Sequence, residues 1–315
     1  NGYNVAVGYN SGHVMSTGVE NTIVGALAGD ALTTGGYNTL MGVSAGGGLV
    51  EGANNVAIGW WALKTENAHG KNVAIGNSAL KVQDAGADAY NVAVGFEAGK
   101  AITTGAQNTL IGGQAGQSLT TGEKNVAIGK AALSSEDTGD RNTAVGIGAL
   151  QTLNYDGSGY NVAVGYDAGV AMTSGVKNTI IGSLAGDALT TGVENTAIGY
   201  FALSTEDTGN YNVAIGKGAL AVLNFDGNGY NTAVGYNAGS AATSGVQNTL
   251  IGGLAGDALT TGTANVAVGY LALSTEDTGS NNVAIGNSAL KMQDAGADAY
   301  NVAVGYNAGI AVSTG

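Results

Sequence analysis

The 315-residue chain contains no cysteine and no proline. Without cysteine there is neither a disulfide framework nor a thiolate metal site. Charge is scarce as well: only 10% of residues are Asp, Glu, Lys or Arg, against roughly 25% in an ordinary soluble domain. Ten basic residues face 23 acidic ones, for a formal net charge of −13. No basic stripe can follow phosphates, so nucleic acid is excluded as a partner and an anionic membrane surface is disfavoured. There is no apolar run of about 18 residues, and the opening "NGYNVAVGYN" has neither a charged nor an apolar leader region, so no membrane insertion is expected. Histidine occurs twice, at His13 and His69, outside any serine, cysteine or metal-ligand pattern, and both read as loop residues.

What the chain has is glycine, 56 residues of it, beside a hydrophobic fraction of 44%. The apolar residues are regularly placed, which argues for a fold over a flexible linker. Asparagine recurs at Asn4, Asn21, Asn38, Asn55, Asn72, Asn91, Asn108, Asn125, Asn142, Asn161, Asn178, Asn195, Asn212, Asn231, Asn248, Asn265, Asn282 and Asn301. The step is 17 residues, except for 19 after Asn72, Asn142, Asn212 and Asn282. From Asn91 onward three short steps and one long step make a 70-residue super-repeat. The whole of 1–315 therefore reads as one continuous array: 1–90 holds five coils with one extra turn, 91–300 three super-repeats, and 301–315 the start of the next. It starts and stops inside its own pattern, so a segment of a longer fibre is expected.

Within each repeat the residue after Asn is Val or Thr, the third is Val, Ile or Met, and the fourth is always Gly. Alternation over "NVAIG" is the period of a β-strand. A strand that returns in the same direction every 17 residues must stack in parallel, so each repeat becomes one coil of an all-β parallel solenoid or β-roll of about 18 coils. At a strand spacing of about 4.8 Å the array is expected to measure roughly 85 Å. The invariant Gly fits a corner that needs positive φ or close backbone approach, and the Gly of "TTG" (Gly35, Gly105, Gly122, Gly192) is expected to turn the chain back. The asparagines form a structural column, their amides hydrogen-bonding along the axis in a ladder.

The super-repeat moves apolar volume between positions. Two successive coils carry Gly eight residues after Asn (Gly99, Gly116) with Ile102 and Leu119 three further on; the next two carry Leu133 and Leu150 at the eighth position, and Glu136 replaces the later residue. Glu136, Glu206 and Glu276 recur one super-repeat apart, about 19 Å and beyond the Debye length, so that acidic charge does not stack. The middle strand residue is mostly Ala (Ala57, Ala74, Ala93, Ala127), with Ile23, Leu40, Leu110, Ile180 and Leu250 in one class of coil. That middle position is read as an outer face covered by another chain, so self-association is expected.

No catalytic constellation emerges, and the chain is read as non-enzymatic, without cofactor or metal. "GGLAGDALTTG" lacks the ending of a phosphate loop. Acidic neighbours such as Glu206 and Asp207, or Asp226 near Asn228, lack a calcium-loop pattern and read as solvated corners. Tyr90, Tyr160, Tyr230 and Tyr300, and likewise Phe96, Tyr166, Tyr236 and Tyr306, recur with the super-repeat and read as packing for a wider corner. Trp60 and Trp61, matched by Tyr200 and Phe201 and by Tyr270, are the candidate contacts for a glycan or protein receptor, because adjacent exposed rings stack on sugars.

The units "NVAIG" and "NTAVGYNAG…TSG" resemble the head repeats of trimeric autotransporter adhesins. "NTLIGGLAGDALTTG" and "NTAIGYFALSTEDTG" are still closer to repeats in the long fibre proteins of tailed bacteriophages. The resemblance spans essentially the whole chain, although its periods of 17 and 19 are longer than those of the adhesin heads. It implies a left-handed β-roll in a homotrimer, located extracellularly or on the virion surface. The function it implies is a structural and adhesive fibre shaft that presents a receptor-binding tip to a host cell. The alternative is a bacterial surface adhesin or an extracellular filament subunit.

Overall fold

The structure, a computed structural model, describes residues 2–314. These form two compact units, Asn1–Tyr160 and Asn161–Gly315, and each is a parallel β-solenoid with one three-residue strand per coil. The first unit holds β1 (Val5–Val7), β2 (Thr22–Val24), β3 (Thr39–Met41), β4 (Val56–Ile58), β5 (Val73–Ile75), β6 (Val92–Val94), β7 (Thr109–Ile111), β8 (Val126–Ile128) and β9 (Thr143–Val145). The second holds β10 (Val162–Val164), β11 (Thr179–Ile181), β12 (Thr196–Ile198), β13 (Val213–Ile215), β14 (Thr232–Val234), β15 (Thr249–Ile251), β16 (Val266–Val268), β17 (Val283–Ile285) and β18 (Val302–Val304). Inside each unit every strand pairs in parallel with the next, one coil on and in strict register, as Val92 with Thr109 and Thr179 with Thr196.

The remainder of each coil is a series of turns, and these also bond from coil to coil. The corner glycine N–H reaches back to the preceding strand (Gly112 N to Val94 O, 2.7 Å), and the N–H eight residues after Asn reaches forward (Gly99 N to Ala115 O, 3.0 Å). Backbone donors therefore find partners along the axis without a second sheet. This requires left-handed backbone at fixed places. The residue before every column Asn has positive φ whatever its identity, among them Tyr90 (54°), Gln107 (61°), Lys124 (59°) and Arg141 (59°). The corner Gly adopts φ near +140° (Gly95, 142°), and a Cβ there would lie 2.4 Å from the Gly112 carbonyl oxygen, so stereochemistry and space both demand glycine.

The "TTG" glycines have no positive φ; their constraint is contact, since a Cβ on Gly122 would stand 2.5 Å from the Gly139 oxygen. One expectation is corrected: the strand faces are reversed. Ala57, Ala74, Ala93 and Ala127, and with them Ile23, Leu40, Leu110, Ile180 and Leu250, point into the coil's own core and are buried. The Val or Thr before them and the Val, Ile or Met after them point outward, and Met41, Ile111, Ile181, Ile251 and Ile285 are exposed. The inner face belongs to the narrow residue because a coil this small encloses about one side-chain layer.

The core fills by exchange. Where Gly stands eight residues after Asn, the strand and the later corner supply the volume: a Cβ on Gly116 would come within 2.8 Å of both Leu110 and Leu119. In the next coils Leu133 and Leu150 occupy that position, buried, while the strand centres shrink to Ala127 and Ala144. A layer with small residues is filled by its neighbours: a Cβ on Gly239, in the coil of Ala233 and Ala242, would come within 2.7 Å of Leu250 and 2.9 Å of Leu220 from the coils on either side.

Candidate functional site

The asparagine column is buried from Asn21 to Asn282, and its main link is side chain to backbone. Within each unit the Oδ1 accepts the backbone N–H of the next column Asn (Asn108 N to Asn91 Oδ1, 2.8 Å), and each Nδ2 of a 17-residue coil donates to the carbonyl fourteen residues on (Asn108 Nδ2 to Gly122 O, 2.9 Å). Amide-to-amide contacts are secondary and occur at steps such as Asn38 to Asn21, 3.1 Å. None of the column asparagines has positive φ; the preceding residue carries it. The column staples strand to closing corner; in the 19-residue coil that begins at Asn72 the Nδ2 is buried without a hydrogen-bond partner.

Glu66, Glu136, Glu206 and Glu276 are fully buried, which overturns the reading of Glu206 as a solvated corner and of these charges as surface acids. All four lie in the coil preceding a 19-residue coil, at the position held elsewhere by Ile102 or Leu119. Between two short coils the closing glycine donates to a carbonyl of the next coil (Gly105 N to Thr120 O, 3.1 Å). The two extra residues displace that carbonyl, and the carboxylate replaces it: Glu136 accepts from Gly139 N (2.8 Å) and Tyr155 N (3.3 Å), Glu206 from Gly209 N (2.8 Å) and Phe225 N (3.2 Å). Burial pushes the Glu66, Glu136 and Glu206 carboxyls above their usual range against these hydrogen bonds. Glu276 extends the network, accepting from Gln293 Nε2 (2.9 Å), whose own Oε1 accepts from Asn301 (2.9 Å).

The remaining sequence candidates fall apart in space. His69 takes the place of the closing glycine; its Nδ1 lies 3.9 Å from Glu66 Oε1, and neither atom has a hydrogen-bond partner. Asp226 accepts from Thr208 Oγ1 at 2.6 Å, and Asn228 accepts from Asn210 at 3.3 Å, so this corner is tied to the coil before it. Glu276, Asp277 and Asp294 bring carboxylate oxygens within 4.8 Å of one another, and the charge of Asp277 raises the Asp294 carboxyl. Both Glu276 oxygens are already committed to N–H donors. An open groove of about 480 Å³ is lined by Lys81, Val82, Lys100, Ala101, Gln117 and Ser118. Lys100 is paired with Glu97 at 2.6 Å, and the Lys81 ammonium lies 4.4 Å from the Trp61 ring. These features do not assemble a nucleophile, base and oxyanion donor.

The aromatics lie outside the core, which corrects their reading as corner packing. Trp60 stacks on Trp61 with centroids 4.1 Å apart, and Lys64 and Lys81 sit over the Trp61 ring. Trp61 and Phe201, both in left-handed conformation, are half-buried, while Trp60, Tyr200 and Tyr270 face solvent. Tyr90 and Tyr160 are capped by Lys71 and Arg141, and Tyr230 stacks on Tyr211 at 5.1 Å. Among the described residues no helix is long and apolar enough to cross a membrane. Comparison with family models and with curated proteins returns no match.

Proposed function

We propose that the chain is a structural shaft segment, most simply of a phage tail fibre that holds a receptor-binding tip towards the host cell. The observation that carries this reading is that in each unit the column asparagines recur in every coil and the buried glutamates once per super-repeat, and that both bond one coil to the next. Asn, corner Gly and buried Glu all serve the axis, which is the economy of a spacer and not of a reaction centre. The wording of the repeats, close to fibre and adhesin repeats, supports the same reading.

The shaft is a homo-oligomer, a trimer in this proposal, joined through the outward Val, Thr and Ile columns. Those columns are the continuous apolar surface that each unit leaves towards solvent. Light scattering on the purified chain at several concentrations tests it. Three times 30.7 kDa is expected, and a monomer at all concentrations would sink the fibre-shaft reading.

A further inference from the structure

The position directly after each corner glycine forms a column of its own. In the second unit it reads Tyr166, Ser183, Tyr200, Lys217, Tyr236, Gly253, Tyr270, Asn287, Tyr306, a tyrosine in every second coil. The five rings are 53, 46, 53, 52 and 78% exposed. Two coil spacings of about 4.8 Å set successive rings about 10 Å apart. The residues between them are small or polar, and this decides how the rings lie. A Cβ on Gly253 would stand 3.5 Å from the Tyr270 ring edge, so this ring leans along the column towards the glycine while about half of the residue stays exposed.

We propose that this tyrosine strip binds an extended β-1,4-linked glycan, one ring to every second sugar. A pyranose offers an apolar C–H face within a polar rim, which suits the face of an exposed tyrosine. In an extended β-1,4 chain each sugar is turned about half a turn from the last, so alternate sugars present the same face at intervals of one disaccharide, the interval of the rings. An α-1,4 chain coils and does not keep step. Asp167, Asn237 and Asn307 follow Tyr166, Tyr236 and Tyr306 and supply hydrogen-bonding groups for hydroxyls. Charge selects the same ligand: the strip holds a single cation, Lys217, 5.8 Å from the Tyr236 ring, in a chain of net charge −13, so an uncharged glycan fits and a polyanion does not. In the first unit the same position keeps the alternation only over Trp60, Asn77 and Phe96 and loses it over Gly113, Lys130 and Ile147. The proposal stands on ring spacing and exposure and does not depend on the shaft reading.

The test is calorimetric titration of the full chain with cellohexaose, which spans three rings, and with maltohexaose as the α-linked control. Cellohexaose binds and maltohexaose binds at least tenfold more weakly. Tyr236→Ala lowers affinity about five- to tenfold, and the triple variant Tyr200→Ala, Tyr236→Ala, Tyr270→Ala abolishes binding, whereas Tyr37→Ala, at an exposed ring of the first unit outside this column, leaves it unchanged. A double variant, Lys217→Tyr with Tyr236→Ser, keeps the number of rings but spoils their spacing, and binds as weakly as Tyr236→Ala. These rings are outside the core, so circular dichroism and melting stay those of the parent. Absence of binding at millimolar cellohexaose, equal affinity for the two sugars, or full affinity in the displaced-ring variant would each overturn the proposal.

Discussion

At the scale of the residue, the fold is written in positions where a single atom decides. Gly95 has a φ of 142° and a gap of 2.4 Å between an added Cβ and the next coil's carbonyl oxygen. Gly95→Ala is expected to cost about 2–4 kcal/mol, read as a lower urea midpoint, because strain and overlap add. Asn178 acts by a different route: its Oδ1 holds Asn195 N at 2.9 Å and its Nδ2 holds Gly192 O at 2.8 Å. Asn178→Ala strands a buried donor and a buried acceptor, and a loss of about 2–4 kcal/mol follows. A drop below about 0.5 kcal/mol in the same urea titration would mean that the column is ornamental. The lysine, arginine, glutamine and tyrosine residues before each Asn show the complementary case, left-handed backbone tolerated by ordinary side chains because their N–H groups are bonded to the coil before, as Gln107 N to Ala89 O at 2.7 Å.

At the scale of the coil, the question is how 19 residues sit on 17, and the buried glutamate is the answer. Its folded pKa is raised above the unfolded value for Glu136 and Glu206, so the native state holds the extra proton. The stabilisation is complete below about pH 4.3, where both states are protonated, and is lost as pH rises through the raised folded pKa. The melting temperature should therefore be higher near pH 4 than at pH 7, and the Glu136→Gln, Glu206→Gln double variant should flatten that slope. An unchanged slope would assign the pH dependence elsewhere. The coil is also where sequence reading succeeds and fails. Period, parallel stacking and the corner Gly follow directly from "NVAIG" and its spacing. Which face is inward does not, because Ala57 and its flanks Val56 and Ile58 are all apolar, and only the width of a closed coil separates them. The burial of Glu206 was legible in principle, since it occupies the alignment position of Leu119. A carboxylate in that place means a core position only once the displaced carbonyl of the longer coil is seen.

At the scale of the whole molecule, the super-repeat sets which changes of length are tolerated. Gly and Leu exchange places over successive coils, so each coil is fitted to its neighbours and not to every other coil. Removing the 70 residues from Asn178 to Gln247 joins Lys177 to Asn248 and restores the same class of neighbour. This chain should fold, with circular dichroism per residue unchanged. Removing two residues fewer should not, since the Asn column and the strand register would be broken together. Association belongs to this scale too: Ile111→Lys with Ile181→Lys and Ile251→Lys places charge on the outward columns and should convert the oligomer to a monomer in light scattering without lowering helix-free circular dichroism. Retention of the oligomer would move the interface to another face.

The widened corner of each long coil also makes the molecule a graduated support. Around Asp226 and Gly227 the long coil carries two residues more than its neighbours, and it stays bonded to the coil before through Asn210 N to Gly227 O at 2.8 Å, with Glu206 holding Phe225 N from within. A foreign loop spliced there would enter a place built to accept surplus chain. Because two such corners lie four coils apart within each unit, epitopes or enzymes grafted at these points would be displayed roughly 19 Å apart in each unit, a spacing set by counting coils and independent of any linker.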